Sequence, residues 1–446
     1  MKNYSDLDKR HIWHPYTQAS SAFDSICIAK ASGNKLFDVE GREYLDMVSS
    51  WWVNIHGHAH PKIVSAIAAQ ASELDHVIFA DFTHAPAAEL AAQLVKSLHR
   101  ATTGQLNRVF YSESGSSAVE IALKQTLHYW KNVGKAYRTG LIAFDGGYHG
   151  DTVGAMSVGR KSGFFEPYAE FLFDVETVPF PHTWPGDEKI EQKEKKSLEA
   201  LQKILATRGR EIGAIIFEPL VQGASGMRMC RPEFVAHAAQ MARDYGLLII
   251  FDEVMTGFGR TGTFCAYEQC GVVPDILCLA KGLTGGFLPL AVTICDEKIY
   301  DAFKGAGFDR ALAHGHSYTA NPIACAAALA SLSLFKTENT LQKIEMIQAC
   351  HQKQFMPLAA HSSARHCRIL GTIAAVDLDM DTDYGSKLSR DMRLFFLNRG
   401  ILIRPLGQTI YILPPYCTTA EELQKSYDVV SEALTVFGRS AIPEVA

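Results

Sequence analysis

The sequence predicts an α/β protein: a large domain built on a mostly parallel sheet flanked by helices, and a smaller α+β domain made from both chain ends. Three observations lead there. Between residues 105 and 335 short β-rich runs alternate with helical patterns, as in a parallel sheet covered by helices. Hydrophobic residues make up 47% and charged residues 20% of the 446, so a large core can be buried. No linker, low-complexity tract or repeat interrupts the chain, which favours two domains where length alone suggests about three. The expected division is 50–335 for the large domain, and 1–49 with 336–446 for the small one.

From the N-terminus, 26–48 alternates around Ser32-Gly33-Asn34 and Glu40-Gly41-Arg42 like a small antiparallel meander. The large domain's strands are expected at 108–111, 141–144, 214–217, 247–251, 276–279 and 290–294. Helices are expected at 117–130, 232–245 and 322–335, with Pro232 and Pro322 in first turns, where the missing N–H leaves no helical bond unmade. Residues 338–440 mix helices with strands at 368–376 and 401–413. The charged runs 187–196 and 208–211 read as solvated faces.

Lysine and arginine number 43 against 48 aspartates and glutamates, a net −5 that argues against a nucleic-acid surface or a polybasic membrane patch. Small molecules are the expected partners. The first ten residues lack the apolar core of a secretory signal, so a cytoplasmic protein is expected. The uncharged stretch 311–335 is too short after Pro322 to span a bilayer. Ten scattered cysteines without a CxxC pair read as reduced core thiols.

In such a sheet ligands bind beyond the carboxyl ends of the strands. After 108–111 comes Ser112-Glu113-Ser114-Gly115-Ser116-Ser117 and then a helix, offering free N–H groups at a positive helix end to a phosphate; the same residues also cap ordinary helices. After 141–144, Asp145-Gly146-Gly147-Tyr148-His149-Gly150 lets backbone approach a ligand beside two aromatic rings, or forms a tight turn. After 247–251 stands Asp252-Glu253, a carboxylate at the end of an apolar strand, either functional or a buried local cap. After 276–279 comes Lys281, and a strand-end lysine of this kind becomes an amine nucleophile when burial depresses its pKa. Phosphate nest, stacking aromatic, carboxylate and lysine together meet the needs of pyridoxal phosphate.

Two motifs mislead. Gly257-Phe258-Gly259-Arg260-Thr261-Gly262 matches a dinucleotide fingerprint, but it starts five residues beyond Asp252 and opens no helix. His56-Gly57-His58-Ala59-His60 looks like a metal tract, yet no cysteine or carboxylate cluster completes it, so no metal is expected.

Phe251-Asp252-Glu253-Val254, Gly257 to Gly262, Pro274-Asp275-Ile276 and Lys281-Gly282 together resemble the signature of the class III aminotransferases, a pyridoxal-phosphate family of fold type I, across essentially the whole chain. Within the class, Arg10-His11-Ile12-Trp13-His14-Pro15-Tyr16-Thr17 and Ser49-Ser50-Trp51-Trp52 resemble the branch that aminates 8-amino-7-oxononanoate to 7,8-diaminononanoate in biotin biosynthesis. The resemblance implies Lys281 as the Schiff-base lysine, Asp252 as the partner of the pyridine nitrogen, Gly115 and Ser116 as the phosphate nest, and Tyr148 as the stacking ring. It implies a substrate pocket lined by Tyr16, Trp51 and Arg404, with Arg404 on the acceptor's carboxylate and Tyr411 and Arg260 in support. Where some members read Gly-Pro-Thr, this chain has Gly315-His316-Ser317, and Ser317 would reach the cofactor phosphate across a homodimer interface, with His316 beside the cofactor and Gly315 beside the substrate. The implied donor is S-adenosylmethionine, or lysine as in a minority branch. Another ω-aminotransferase and an inactive binding homologue remain the alternatives.

Overall fold

Ile212–Phe217 and Leu248–Asp252 are buried at every position, which is what strands covered by helices on both faces require. The computed structural model describes residues 4–99, 106–159, 165–380 and 382–439, so the first three residues of the N-terminal segment and 440–446 of the expected small domain lie outside the described residues. The chain divides into two units, Pro61–Gln342 and Met1–His60 with Lys343–Ala446, a division later in sequence than expected at both points.

The unit Pro61–Gln342 carries a seven-stranded sheet in the order Leu106–Ser112, Ala291–Asp296, Ile276–Leu279, Leu248–Asp252, Ile212–Phe217, Gly140–Phe144, Glu176–Val178. Only Ala291–Asp296 runs against its neighbours. All six expected strands are there, and the three-residue edge strand Glu176–Val178 is too short to leave a signal in the sequence. Helix Gly115–Asn132 lays Ala118, Val119, Ala122 and Leu123 on the sheet residues Leu141, Ile216, Ile250 and Cys278. At about 1.5 to 3 kcal/mol for each large side chain removed from water, this layer anchors the helix start beside the strand ends. Two side-chain bonds fix its register: Thr293 Oγ1 donates to Ala118 O at 2.8 Å and Trp130 Nε1 to Gly213 O at 2.9 Å. Pro232 and Pro322 do occupy first turns. The charged run 187–196 opens helix Ile190–Arg208, whose Ser197, Leu201 and Leu205 are buried.

In the other unit Ile28–Ser32, Lys35–Asp38 and Glu43–Asp46 form the antiparallel meander, joined by Ile401–Leu402 running parallel to Glu43–Asp46. A second sheet orders Ala364–Leu370, Ile373–Leu378 and Thr409–Ile412. The expected strand 368–376 is thus two strands, broken where Gly371 turns the chain at φ 56°. The expected strand 401–413 is divided between the two sheets, because Pro405 has no N–H for a ladder and Gly407 turns at φ 60°. Helices Lys387–Leu397 and Ala420–Arg439 complete the unit.

All ten cysteines are free thiols; seven are buried, while Cys27, Cys350 and Cys417 are only partly so. Among the described residues no helix is long and apolar enough to cross a membrane.

Candidate active site

Strands Leu248–Asp252 and Ile276–Leu279 lie side by side with Asp252 opposite Cys278, so their carboxyl ends bring Asp252 and Lys281 to the same edge of the sheet. Asp252 is 4% exposed and Lys281 is half-buried. Asp252 Oδ1 does take the amide of Val254 at 3.0 Å, the local cap anticipated for it. Its other oxygen accepts from His149 Nδ1 at 2.7 Å. Burial pushes the His149 imidazole down, but the bond to Asp252, its charge and that of Glu218 outweigh it and raise the group above its usual range. Glu218 follows strand Ile212–Phe217 and accepts the amides of Tyr148 at 2.8 Å and Gly223 at 3.0 Å. Burial lifts it to about 7.

Lys281 stands in the left-handed region at φ 45°, an uncommon conformation for a non-glycine residue and one found at functional sites. Burial pulls its amine down from 10.5 to about 8, opposed by the charges of Asp252 and Glu218 and helped by that of Arg260. Arg260 itself is 1% exposed, inside the loop that mimics a dinucleotide fingerprint. Neighbouring Glu253 serves the fold, since its carboxylate accepts the amides of Ala266 at 2.6 Å and Tyr267 at 2.8 Å.

The expected phosphate nest lies at a helix start. Ser114 caps helix Gly115–Asn132 by accepting the Ser117 amide at 3.2 Å, and Ser116 Oγ accepts the Asp151 amide at 3.0 Å, tying this loop to the Tyr148 loop. A Cβ at Gly115 would fall 2.6 Å from Val254 Cγ1, so glycine alone lets the helix start approach the Asp252 turn this closely. The Tyr148 ring stacks on Phe165 with centroids 6.0 Å apart. These residues fit pyridoxal phosphate by the chemistry of the donors: a half-buried low-pKa amine, a carboxylate backed by an imidazole, and a positive helix end.

Gly315, His316 and Ser317 lie on an adjoining loop of the same unit. His316 Nδ1 donates to Glu113 in the nest loop, and His316 and His314 meet through their Nε2 atoms at 2.9 Å. Ser317 is exposed, and its carbonyl accepts from His76 Nε2 at 2.6 Å.

In the unit made from the chain ends a second cluster forms around Arg404. Its Nε donates to Tyr384 Oη at 2.6 Å and its Nη2 to Tyr16 O at 3.3 Å, while the guanidinium lies 5.4 Å from the centre of the Trp51 ring. Tyr16 meets Trp51 edge-on at 5.8 Å and Tyr384 at 6.3 Å. Trp51 is 42% exposed. Tyr411 stands apart from this group: it is 2% exposed and its hydroxyl accepts the Trp52 indole N–H at 2.9 Å.

Three residues escaped the sequence reading. Glu218 follows a strand just as Asp252 does and was open to the same reasoning. His149 was visible only as a ring, because its partner lies 103 positions away. Tyr384 sits in a turn before helix Lys387–Leu397 with no local signal. Of the histidine tract, His58 bonds Asp46 at 2.8 Å; among the described residues no three metal-type side chains converge.

The family model for aminotransferase class-III matches residues 16–434. The chain is 48% identical to a curated adenosylmethionine-8-amino-7-oxononanoate aminotransferase of Synechococcus elongatus, covering 95% of this chain and 98% of that protein. It is 36% identical to the protein of that name from Helicobacter pylori, covering 97% and 98%. Among solved structures it superposes on the like-named enzyme of Methanocaldococcus jannaschii with a TM-score of 0.89 at 34% identity, covering 97% and 98%. An amine transaminase from an uncultivated Pseudomonas species in its PLP-bound form gives 0.87 at 31% identity, covering 97% and 99%.

Proposed function

The chain belongs to the class III aminotransferases, pyridoxal-phosphate-dependent transaminases of fold type I, and on that premise we propose that it aminates 8-amino-7-oxononanoate to 7,8-diaminononanoate in biotin biosynthesis, with S-adenosylmethionine as donor. The observation that carries the acceptor is Arg404. Its guanidinium is held by Tyr384 and Tyr16 among aromatic rings, and no carboxylate of the described residues pairs with it, which suits the carboxylate of a long aliphatic substrate.

Bound pyridoxal phosphate supplies an aldehyde that takes up the amine and a ring that accepts the electron pair released at the substrate carbon. The chain's residues do the rest. Lys281 would hold the cofactor's aldehyde through Nζ and would serve as the base that moves the substrate proton, a task matched by an amine titrating at about 8. Asp252 would hold a proton at the cofactor's ring nitrogen, and His149 holds Asp252 in place. The helix start at Gly115 and Ser116 orients the phosphate, and Tyr148 walls the ring. Tyr16 and Trp51 supply apolar walls for the nine-carbon chain. Tyr411 supports them through Trp52, and Arg260 tunes Lys281.

The working form is a homodimer in which Ser317, with Gly315 and His316, serves the partner's site. Exposed Tyr318, Ile78 and Phe82, 62%, 62% and 60% accessible, support an apolar interface beside that loop. Free thiols throughout fit the cytoplasm. The deciding assay incubates the holoenzyme with 8-amino-7-oxononanoate and either S-adenosylmethionine or lysine and detects 7,8-diaminononanoate by mass. Product with lysine alone reassigns the donor; no product with either, while a simple diamine is turned over, overturns the substrate.

A further inference from the structure

The turn that presents Trp51 is built against the backbone's own preferences. Ser49, Ser50 and Trp52 stand at φ 50°, 60° and 66°, and none is glycine. Ser50 combines its positive φ with ψ −82°, close to the rare, strained γ-turn. L-residues persist in such conformations only where their surroundings over-determine them. A left-handed triplet within four residues therefore needs an anchor.

Asp46 is that anchor. Its carboxylate is 0% exposed, and no lysine or arginine of the described residues pairs with it. One oxygen accepts the Ser50 amide at 2.9 Å and the Val48 amide at 3.2 Å; the other accepts the Ser50 amide at 2.7 Å, the Ser50 hydroxyl at 3.2 Å and His58 Nε2 at 2.8 Å. Every donor except His58 thus comes from the turn or from Val48, which leads into it. His58 is held in turn, its Nδ1 meeting Asn54 Nδ2 at 3.1 Å while Asn54 Oδ1 accepts the Gly57 amide at 2.8 Å, which leaves Nε2 as the protonated nitrogen. Ser49 Oγ donates to Leu413 O at 2.8 Å and Trp52 Nε1 to Tyr411, so one tryptophan is rooted in the core and the other is left 42% exposed against Tyr16 and Arg404. A turn relaxed to ordinary φ values would rotate Trp51 away from those partners.

We propose that Asp46, braced by His58, is a positioning residue that holds the strained Ser49–Trp52 turn and so sets Trp51 for the amino acceptor. The second half rests on the acceptor assignment above; the first half does not. It gives the histidine tract a use that involves no metal.

The test uses the holoenzyme and two independent readouts on Asp46→Asn, which keeps size but turns an amide N–H₂ toward the Ser50 and His58 donors. Peptide-resolved hydrogen exchange over 47–53 should quicken about tenfold or more, with peptides of 248–284 unchanged. The KM for 8-amino-7-oxononanoate should rise about tenfold, as in Trp51→Ala, while the donor half-reaction stays within about twofold of wild type. Adding Ser50→Gly should recover much of the KM change, since glycine takes a positive φ without strain; a merely destabilised fold would not be rescued this way. Should Asp46→Asn fail to fold, His58→Gln gives the same two readouts with smaller effects. Unchanged exchange overturns the clamp. Faster exchange with equal losses in both half-reactions, or without rescue, overturns the positioning role. If the wild type does not aminate this acceptor, the substrate assignment fails and the exchange result still decides the clamp.

Discussion

His149 donates to Asp252 at 2.7 Å with the two side chains only 1% and 4% exposed, so the strand-end carboxylate is held in one orientation. The pair is a strut. Because burial disfavours both charges separately, the raised imidazole and the carboxylate stabilise each other, and removing either leaves the other buried and unpaired.

Asp252→Asn should therefore slow turnover by orders of magnitude while the fold and phosphate binding survive. His149→Gln should cost about tenfold to a hundredfold in kcat and leave donor KM nearly unchanged. Pre-steady-state proton abstraction separates the two variants; wild-type rates in Asp252→Asn would make that residue purely structural.

Lys281→Ala should bind the cofactor without forming a borohydride-reducible bond to it. In the wild-type apoenzyme only the neutral amine attacks, so covalent capture should accelerate as pH rises and level off above about 8. Linkage has the same sign: with the folded-state value below the unfolded 10.5, Lys281 penalises the fold below about pH 8 and the penalty is lifted between about 8 and 10.5. Capture that is flat from pH 6.5 to 9.5 would contradict the assignment.

Arg404→Ala should raise the KM for 8-amino-7-oxononanoate by the loss of a charge-assisted pair, about 1.5 to 3 kcal/mol, well beyond any change for an acceptor without the carboxylate. Tyr384→Phe, which removes the 2.6 Å bond to Arg404 Nε, should shift the same constant in the same direction by less. Equal losses for both acceptors would point to a fold defect.

A mixed dimer tests the shared site. Lys281→Ala and a bulky substitution at Ser317 each give inactive homodimers; dissociated and re-associated in equal amounts they should recover about a quarter of wild-type activity, because about half the dimers are mixed and each has one intact site. Confirmed exchange without recovery would assign Ser317 to its own subunit.

Asp377 is bonded by Arg368 at 2.9 Å, His366 at 3.0 Å and Thr409 at 2.8 Å. Burial pushes its carboxyl up, but the His366 bond and the Arg368 charge win and hold it at about 2. The group therefore adds about 2 kcal/mol that is present above pH 3.8 and lost as pH falls toward 2. In Asp377→Ala, acid denaturation should begin from a lower plateau and lack that limb; an unaltered profile would refute the pairing energy.

Much of this was legible in the sequence because the large sheet obeys one rule. Its central strands, Ile212–Phe217, Leu248–Asp252 and Ile276–Leu279, are apolar up to their carboxyl ends, so Asp252 and Lys281 stood out as charges where a charge is costly, and Glu218 was open to the same reading. What stayed hidden depended on distance or on backbone angle. His149 and Asp252, or Asp46 and His58, become partners only when the chain has folded, and nothing in Ser49-Ser50-Trp51-Trp52 announces three left-handed residues. The split of 401–413 between two sheets was missed although Pro405 and Gly407 were in view, because the apolar periodicity continues through them.

The 2.6 Å approach that a Cβ at Gly115 would make to Val254 works as a gauge block. Val254 is bonded through its amide to Asp252 and Gly115 begins the helix proposed to hold the phosphate, so one missing methyl group sets the spacing between the two proposed ends of the cofactor cradle. Mutational drift at position 115 would consequently be felt at both ends together. On the proposed assignment, ring-nitrogen and phosphate recognition share a single dimension of the scaffold, and neither would be retuned to a longer or shorter cofactor without rebuilding the other.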